Sequence, residues 1–283
     1  MNKQGPILVT GGTGKTGRRL LAHLQAQNIP CRLATRRTTT GHIDAVPFDW
    51  MDPETWGPAL DGVAGAYLVA PSAAATAAIL IDFAKTAIDR GVRRFVLLSA
   101  SLLPIGGPGA GQVHQWLHDN AAEWAVLRPS WFMQNFSEAH HLATIRDEGL
   151  IYSAAEDGRV PFISAEDIAR AACAALTLPE APNRDFILTG PATLSYDDVA
   201  AQISNVTGRA IKHRRISMQE LAEQHVARGM PKAAADILAF MDTAIASGAE
   251  DRVTPDVVSL TGTSPIDLET FARANAHCWK EGG

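Results

Sequence analysis

Residues 7–24 decide the fold of this 283-residue chain, and they read ILVTGGTGKTGRRLLAHL. The stretch opens with an apolar run, Ile7–Thr10, that is typical of a short buried strand. Its leucines then recur at the spacing of one helix face. Between these two parts lie glycines with the spacing GxxGxxG, namely Gly11, Gly14 and Gly17. The stretch therefore predicts a strand, a tight glycine turn and a helix that begins near Gly14.

The glycine turn predicts a binding site for a dinucleotide. Glycine lets the backbone turn tightly and approach a pyrophosphate closely. The helix that follows directs free N–H groups and its positive dipole end at that anion. The other residues expected to contact the cofactor here are Thr10, Thr13, Lys15, Thr16 and Gly17. A P-loop would need glycine at position 9, where the chain has Val9, so the remaining alternative is a plain strand-to-helix turn.

Strands and helices continue to alternate as far as Pro129. The further predicted strands are Cys31–Thr35, Ala45–Phe48, Ala66–Ala70, Arg94–Ser99 and Trp124–Arg128, with helices around Ile79–Ala87 and Val113–Leu117. Such alternation implies right-handed crossovers and a parallel sheet. The predicted fold class is α/β, with a doubly wound Rossmann sheet in a domain spanning residues 1–150.

The pattern changes in residues 151–283, which predict a smaller, mostly helical lobe for the substrate. The elements expected there are strands Val160–Ile163 and Asp185–Leu188 and helices Ala165–Leu176, Tyr196–Thr207, Ser217–Arg228, Ala233–Ser247 and Asp267–Trp279. The stretch 151–190 is expected to return in part to the Rossmann sheet.

Composition argues against several classes of protein. The net charge is −5 and no basic patch dominates, which does not favour nucleic-acid binding. The three cysteines are far apart and form no CxxC pair, which fits a reducing compartment. No apolar run approaches the roughly 20 residues that cross a bilayer, and no signal peptide is recognisable. We therefore expect a cytoplasmic protein without membrane or nucleic-acid partners.

The residues after the second and third strands indicate which cofactor binds. Arg36 and Arg37 follow the second strand, where an NAD-specific site would place an acidic residue. Arginine can bind a 2′-phosphate through two hydrogen bonds, so NADP(H) is the expected cofactor and NAD(H) the alternative. Asp49 follows the third strand and would lie beside the adenine. The competing interpretations are a solvated basic corner and a loop-capping aspartate.

Three polar residues are candidates for contact with the reacting atoms. Ser99 and Ser101 end the fifth strand, at the carboxyl edge where Rossmann ligands bind. His114 lies on the next helix, with His118 one turn later. This i,i+4 histidine pair has no third ligand placed nearby, so no metal site is predicted. Neither serine has the GxSxG context of a hydrolase nucleophile.

An aromatic cluster follows the sixth strand. Trp131, Phe132 and Phe136 lie within six residues of one another, with Met133 between them. They either line a substrate pocket at the end of the sheet or form part of an ordinary core. We treat them as candidate substrate contacts.

At this point the residues resemble a known family. The segments that carry the resemblance are GGTGKTG at 11–17, FDW at 48–50, FVLLSAS at 95–101, LRP at 127–129, WFMQNF at 131–136 and FISAEDIA at 162–169. Together they resemble the NmrA-like atypical short-chain dehydrogenases, and within them the ergot-alkaloid group of festuclavine and agroclavine dehydrogenases and their bacterial relatives.

The resemblance covers nearly the whole chain and implies a Rossmann domain, NADP(H) and a small C-terminal substrate lobe. It also implies a course for the cofactor, along Gly11–Gly17, Arg36, Asp49 with Trp50, Ala70 with Pro71, and Ser99.

The chain departs from related enzymes in the residues that handle protons. Ordinary short-chain dehydrogenases carry a YxxxK pair, but none of Tyr67, Tyr152 and Tyr196 has a lysine four residues later. Many NmrA-like enzymes place a lysine where this chain has Ala110 or Gly111. An acceptor that needs no proton at the reacting atom, an imine or iminium ion, fits this departure best.

The sequence therefore predicts an NADPH-dependent reductase that transfers hydride to a small apolar or aromatic acceptor. A quinone or enone is the second acceptor class. The main alternative is a non-enzymatic NADP(H) sensor that reports to a protein partner, as NmrA-like regulators do. An isomerase or epimerase is a weaker alternative, because it usually needs the missing tyrosine base.

Overall fold

A computed structural model of the chain describes residues 5–36, 44–71 and 76–280. The chain divides into two compact units. Unit 1 comprises the chain up to Pro129 together with Ala165–Leu188 and Asp256–Thr263, and unit 2 comprises Ser130–Ser164, Thr189–Pro255 and the chain from Ser264 onward.

The strands and helices alternate first and become mainly helical later. In chain order the strands are β1 (Ile7–Val9), β2 (Cys31–Thr35), β3 (Asp44–Pro47), β4 (Gly65–Val69), β5 (Arg94–Leu98), β6 (Glu123–Pro129), β7 (Leu150–Ser153), β8 (Arg184–Leu188) and β9 (Lys212–Arg215). The helices are α1 (Gly17–Ala26), α2 (Trp56–Leu60), α3 (Thr76–Asp89), α4 (Ala110–Asn120), α5 (Gln134–Ser137), α6 (Leu142–Glu148), α7 (Ala165–Thr177), α8 (Tyr196–Thr207), α9 (Met218–Ala227), α10 (Lys232–Ala246), α11 (Asp256–Thr261) and α12 (Leu268–Asn275).

Within the described residues of unit 1, seven parallel strands form one sheet in the order β3-β2-β1-β4-β5-β6-β8. The strand order reverses between β1 and β4, and open α/β sheets bind ligands at the carboxyl ends of the strands at this point. Strands β4 and β5 read as continuous apolar runs because helices cover both faces of a parallel sheet. The predicted doubly wound Rossmann sheet is confirmed.

Unit 2 is mostly helical and has its own core, built around Phe136, Phe162 and Tyr196. Its β7 and β9 pair in parallel to form a separate two-stranded sheet. Capping boxes begin two of its helices, with Ser195 and Asp198 at α8 and Ser217 and Glu220 at α9. Both motifs satisfy backbone N–H groups that a helix start leaves without partners.

Several predicted boundaries need correction. The first helix begins at Gly17 and not near Gly14, because residues 10–16 are all used in the turn. Val160–Ile163 is not a strand, since it forms only isolated bridges at its two ends, to Leu194 and Phe132. The pattern did not predict β7, β9 or α11.

The observed unit boundary also differs from the predicted domain boundary at residue 150. The chain leaves unit 1 directly after β6, at Pro129, and returns for α7 and β8. Strand β8 pairs with β6 through the register Arg128↔Ile187. This long-range pairing brings β8 into unit 1, whereas residues 130–150 belong to unit 2 although they follow β6 directly in sequence.

Candidate cofactor and active site

The glycine turn between β1 and α1 has the geometry of a phosphate cradle. Gly11 has φ +60°, in the left-handed region that favours glycine, and its carbonyl accepts a 2.8 Å hydrogen bond from the Gly14 N–H. A Cβ on Gly17 would overlap the Gly11 carbonyl and lie 2.6 Å from Gly12 Cα. Glycine is therefore needed at position 17 so that the helix can pack against the turn.

Gly14 is different, because little protein surrounds it. A Cβ there would have one neighbour within 4 Å, the Gly11 carbonyl at 3.1 Å, and Gly14 itself is exposed. This backbone is open on the side where a side chain would project. A dinucleotide pyrophosphate fits such an open backbone at the start of a helix.

Two of the three threonines in residues 10–16 have internal partners. Thr10 is fully buried; its hydroxyl donates to the Tyr67 carbonyl at 2.8 Å and accepts from the Val69 N–H at 2.9 Å. Thr16 accepts a 3.1 Å hydrogen bond from the Tyr67 hydroxyl. Their side chains thus join β1 and the turn to β4.

A cavity of about 620 Å³ lies at the carboxyl ends of β1 to β4 in unit 1. Its size is in the range of cofactor sites, roughly 300–1,000 Å³. The predicted cofactor residues that line it are Gly11, Thr13, Arg36, Asp49, Trp50, Ala70 and Pro71. Thr35, Phe48, Met51 and Val69 also line it. The structure thus brings together residues that are up to sixty positions apart in sequence.

Arg36 is exposed and lies on the wall of this cavity, directly after β2. Its partner in the prediction, Arg37, lies outside the described residues. Lys15 is half-buried, and its carbonyl accepts a 2.7 Å hydrogen bond from Arg19. Arg36 is therefore the described arginine that can meet a phosphate group in the cavity.

Asp49 and Trp50 also line this cavity. One carboxylate oxygen of Asp49 accepts a 2.9 Å hydrogen bond from the Met51 N–H, while the Asp49 carbonyl accepts from the indole of Trp56 at 3.0 Å. The Trp50 ring packs edge-on against Phe83, with ring centroids 5.0 Å apart. Asp49 therefore caps its own loop and lines the cavity at the same time.

Ser99 and Ser101 lie farther along the same edge, after β5. Their backbone N–H groups donate to the carbonyls of Leu127 and Pro129, at 2.8 and 2.9 Å. The Ser99 hydroxyl is buried and has no hydrogen-bond partner within residues 5–36, 44–71 and 76–280. Buried polar groups in proteins are normally paired, so such a hydroxyl indicates a ligand or ordered water at that point.

His114 is buried on α4, against the ring of Trp124 at a centroid distance of 5.6 Å. Its Nδ1 has no hydrogen-bond partner in the part of the chain that the structure describes. Burial lowers the pKa of His114, and the nearby charges of Asp185 and Arg128 act on that pKa in opposite directions. The imidazole is therefore neutral at pH 7.

The aromatic candidates lie in unit 2. The Trp131 ring is buried, and its indole N–H has no hydrogen-bond partner. Phe132 is half-buried. Phe136 is fully buried, and its ring stacks on His141 at a centroid distance of 5.2 Å. Burial favours the core interpretation for Phe136. The indole N–H of Trp131, in contrast, is available to donate a hydrogen bond.

None of the three tyrosines resembles an activated acid. Burial raises the pKa of Tyr67 and of Tyr196, both of which lie in the protein interior. Burial also raises the pKa of Tyr152, as does its hydrogen bond to Glu148. A catalytic tyrosine needs the opposite shift, which a neighbouring cation would supply.

The structure contains one catalytic-looking arrangement that the sequence did not predict. The Ser153 hydroxyl lies 2.8 Å from Nε2 of His213, whose Nδ1 lies 3.2 Å from a carboxylate oxygen of Asp197. These are the contacts of a Ser-His-Asp triad. However, Ser153 and the His213 side chain are completely buried, so no substrate can reach the hydroxyl. We therefore interpret the hydrogen-bonded group of Ser153, His213 and Asp197 as structural.

The described residues contain no group of three or more metal-ligating side chains close enough to hold an ion. They also contain no helix long and apolar enough to span a bilayer.

Two family models match the chain. Residues 11–179 match a model described as NAD(P)H-binding, and residues 112–271 match the NmrA-like family. The chain therefore belongs to the NmrA-like family of NAD(P)H-binding proteins, and it is an NAD(P)H-dependent oxidoreductase. The family resemblance found in the sequence is confirmed.

Among particular proteins, the chain is similar to agroclavine dehydrogenase of Claviceps fusiformis, with 41% identity over 96% of this chain and 98% of that protein. The uncharacterized oxidoreductase YesF of Bacillus subtilis is 40% identical over 99% and 98% of the two chains. The triphenylmethane reductase of Citrobacter sp., solved with NADP(H), has a TM-score of 0.80 at 22% identity, covering 95% of this chain and 99% of that one. That structure supports the fold.

Proposed function

We propose that this protein is an NADPH-dependent reductase of small apolar or aromatic imines and iminium ions that works without a tyrosine-lysine proton donor. The observation that carries the proposal is the state of its tyrosines. All three have a raised pKa, and none has a lysine four residues later. A tyrosine of that kind does not donate a proton readily at neutral pH.

The choice of acceptor follows from proton balance. Adding hydride to a carbonyl produces an alkoxide, which needs a proton from a nearby acid during the step. Adding hydride to C=N⁺ produces a neutral amine, so no proton is needed at that atom. The protein then has to position the acceptor and exclude water. A relative with 41% identity is named agroclavine dehydrogenase, which supports a small-molecule acceptor.

The residues that would hold the cofactor are those of the unit 1 cavity. Gly11 and Gly14 would bind the pyrophosphate through their backbone, and Arg36, with Arg37 beside it in sequence, would bind the 2′-phosphate. Asp49 and Trp50 would contact the adenosine. The cofactor supplies hydride when bound.

Ser99, Ser101 and His114 would orient the acceptor or the nicotinamide carboxamide. The hydroxyl of Ser99 and Nδ1 of His114 have no partners among the described residues, which leaves both able to bind a ligand atom. A neutral His114 can form a hydrogen bond but is a poor source of protons at pH 7. Trp131 and Phe132 would provide an apolar surface for the acceptor, and buried Phe136 would support them from the core.

The cofactor assignment can be tested by titration of cofactor fluorescence. We expect NADPH to bind about ten- to a hundredfold more tightly than NADH, because a charge-assisted hydrogen bond contributes roughly 1.5–3 kcal/mol. Arg36→Ala should abolish most of this preference and leave the affinity for NADH unchanged. Equal affinities in the wild type, or a preference that survives in Arg36→Ala, would contradict the assignment.

The reaction can be tested by comparing a cyclic iminium ion with its ketone analogue. We expect fast turnover of the iminium and poor turnover of the ketone, with His114→Ala reducing turnover far less than the roughly 10²–10⁴-fold that loss of a general acid causes. His118→Ala is a matched control, because His118 is exposed one turn farther along the same helix.

Three outcomes would redirect the assignment. Fast ketone reduction that collapses in His114→Ala would reveal a working proton donor. Preferred turnover of quinones or enones would make them the acceptor class. Tight NADPH binding with no turnover of any acceptor in the panel would favour a redox sensor.

A further inference from the structure

Three consecutive residues of β6 hold the segment that carries the two candidate serines. The Leu127 and Pro129 carbonyls accept hydrogen bonds from the N–H groups of Ser99 and Ser101. The residue between them, Arg128, reaches the same segment with its side chain, and its Nη2 donates to the Ser101 carbonyl at 2.8 Å. Residues 99–101 are thus held on both their N–H and C=O sides, although β5 ends at Leu98.

A carboxylate from another strand fixes the arginine itself. Nη1 of Arg128 lies 2.7 Å from an oxygen of Asp185 on β8, and only 14% of the arginine side chain is exposed. Asp185 pairs with Val126 in the sheet register. Residues 126 and 128 share one face of β6, because side chains alternate along a strand. The register therefore places Asp185 on the same face as the guanidinium.

From these contacts we infer that Arg128 is a positioning residue, which Asp185 orients and which fixes the Ser99–Ser101 segment for the reaction. The inference rests on the proposed function, because it assigns the two serines to the orientation of substrate or nicotinamide. It adds the requirement that β8, contributed by a later part of the chain, must be in place for that segment to be ordered. Arginine suits this role because its planar fork can serve a carboxylate and a carbonyl together.

The charges of Arg128 and Asp185 also act on His114. Asp185 raises the pKa of His114 and Arg128 lowers it, while burial keeps that pKa below its ordinary value. Removing either partner should therefore move this pKa in a defined direction. Asp185→Asn should lower it, and Arg128→Met should raise it. These two shifts test whether both charges act at His114, whereas kcat and the ordering of residues 99–101 test the positioning role itself.

The sheet offers a matched control at its other end. Arg94 at the start of β5 forms a 2.7 Å ion pair with Glu123 at the start of β6, with 10% and 27% of the two side chains exposed. This pair joins β5 and β6 at their amino ends, away from the serines. Glu123→Gln should therefore affect stability without affecting the reaction.

The experiment compares Arg128→Met, Arg128→Lys, Asp185→Asn and Glu123→Gln in the full chain. The measurements are kcat and KM with a cyclic iminium acceptor, the Kd of NADPH, and amide hydrogen exchange of residues 99–103. A misplacement of about 1 Å costs on the order of 100-fold in rate. We expect Arg128→Met to lower kcat by about 10- to 100-fold and to speed exchange in this segment, with the Kd of NADPH unchanged.

The other variants sharpen the result. Arg128→Lys keeps the charge but lacks the planar fork that fixes the geometry of both hydrogen bonds, so its kcat should stay low. Asp185→Asn should lower kcat less than Arg128→Met does. The inference is overturned if Arg128→Met keeps wild-type kcat and exchange, or if Glu123→Gln reproduces its effects. If the wild type turns over no acceptor, the proposed function fails, and exchange together with the His114 pKa still tests the contacts of Arg128.

Discussion

Two serines at the ends of strands show how differently unit 1 and unit 2 use a buried hydroxyl. Ser153 ends β7 in unit 2; its hydroxyl lies 2.8 Å from His213 Nε2 and accepts a hydrogen bond from the Ala155 N–H at 3.3 Å. Ser99 follows β5 in unit 1, and its hydroxyl has no partner. The serine with triad-like contacts is sealed in a core, whereas the serine without them lies at the ligand-binding edge of the sheet.

The comparison teaches that catalytic-looking geometry is not sufficient evidence of a site. A buried polar group costs free energy unless it is hydrogen-bonded, so a folded core tends to pair its serines, histidines and carboxylates with one another. Such pairing reproduces the contacts of a triad without access for a substrate. An unpaired hydroxyl at the carboxyl edge of a parallel sheet is the stronger indication of a site.

The largest effect that we predict concerns stability and lies in the core of unit 2. Phe136→Ala should reduce the free energy of unfolding by about 3–5 kcal/mol, because it removes a fully buried ring and leaves a cavity. Urea denaturation followed by circular dichroism measures this change, and the Kd of NADPH should not change. Phe132→Ala is the control, since Phe132 is half-buried. Unchanged stability with a raised KM for the acceptor would instead make Phe136 a substrate contact.

The next effect concerns binding and lies in the glycine turn of unit 1. Gly14→Val should weaken NADPH binding by about 100-fold, or roughly 2.7 kcal/mol, because a β-branched side chain would fill the open side of the backbone. The melting temperature should change little. Gly17→Ala is the contrasting variant, as its Cβ would collide with the turn itself, so it should lower both affinity and stability. A folded Gly14→Val with normal affinity would refute the placement of the pyrophosphate.

The two serines can be compared directly by the same substitution. Ser153→Ala should destabilise the protein by about 1–3 kcal/mol, because it leaves a nitrogen of His213 buried without its partner. It should leave kcat unchanged. Ser99→Ala should alter stability by less than about 0.5 kcal/mol, since no hydrogen bond within the protein is lost. It should lower turnover by less than tenfold. The reverse pattern, with turnover lost in Ser153→Ala, would identify the buried group of Ser153, His213 and Asp197 as a catalytic site.

A further effect is a pH dependence of stability in unit 2. Burial raises the pKa of Asp242 to about 7, partly opposed by the hydrogen bond that it accepts from the Ala154 N–H. Because its folded pKa lies above its unfolded value, Asp242 contributes stability that is fully present below the unfolded pKa and is lost as pH rises through about 7. Asp242→Asn keeps an acceptor for Ala154 and cannot ionise.

Denaturant titrations at pH 5 and pH 8 would measure this dependence. We expect Asp242→Asn to gain stability relative to the wild type as pH rises between these two values. At the acid end of this pH range, the buried His141 also contributes to the pH dependence of stability. Burial lowers its pKa, so the fold favours its neutral form. A difference between variant and wild type that stays constant with pH would show that Asp242 does not titrate in this range.

Much of unit 1 could be predicted because its signals are local. The strand, turn and helix at residues 7–24 follow one another directly, and the apolar runs that form β2, β4 and β5 lie within about one residue of their predicted ends. The same reasoning failed for β9, whose sequence KHRR contains no apolar residue. Its pairing with β7 depends on tertiary contacts, and strand preference depends strongly on context.

For the candidate site, the residues at the ends of the predicted strands were enough to propose the chemistry of the cofactor edge. Glycine, arginine and serine at the ends of successive strands must meet at one edge of a parallel sheet, whatever the details of packing. The absence of a tyrosine-lysine pair is likewise a property of the sequence alone. These features follow from the order of the elements along the chain. They do not depend on any distance between residues far apart in sequence.

Only the tertiary structure decided which polar groups are satisfied. It pairs Ser153 with His213 across sixty residues of sequence, leaves Ser99 and His114 with unpaired atoms, and buries Phe136 completely. It also brings Asp185 onto Arg128, because β8 adds to the sheet beside β6 after the chain has passed through unit 2. The physical reason is that burial and hydrogen bonding depend on neighbours distant in sequence, which no local pattern specifies.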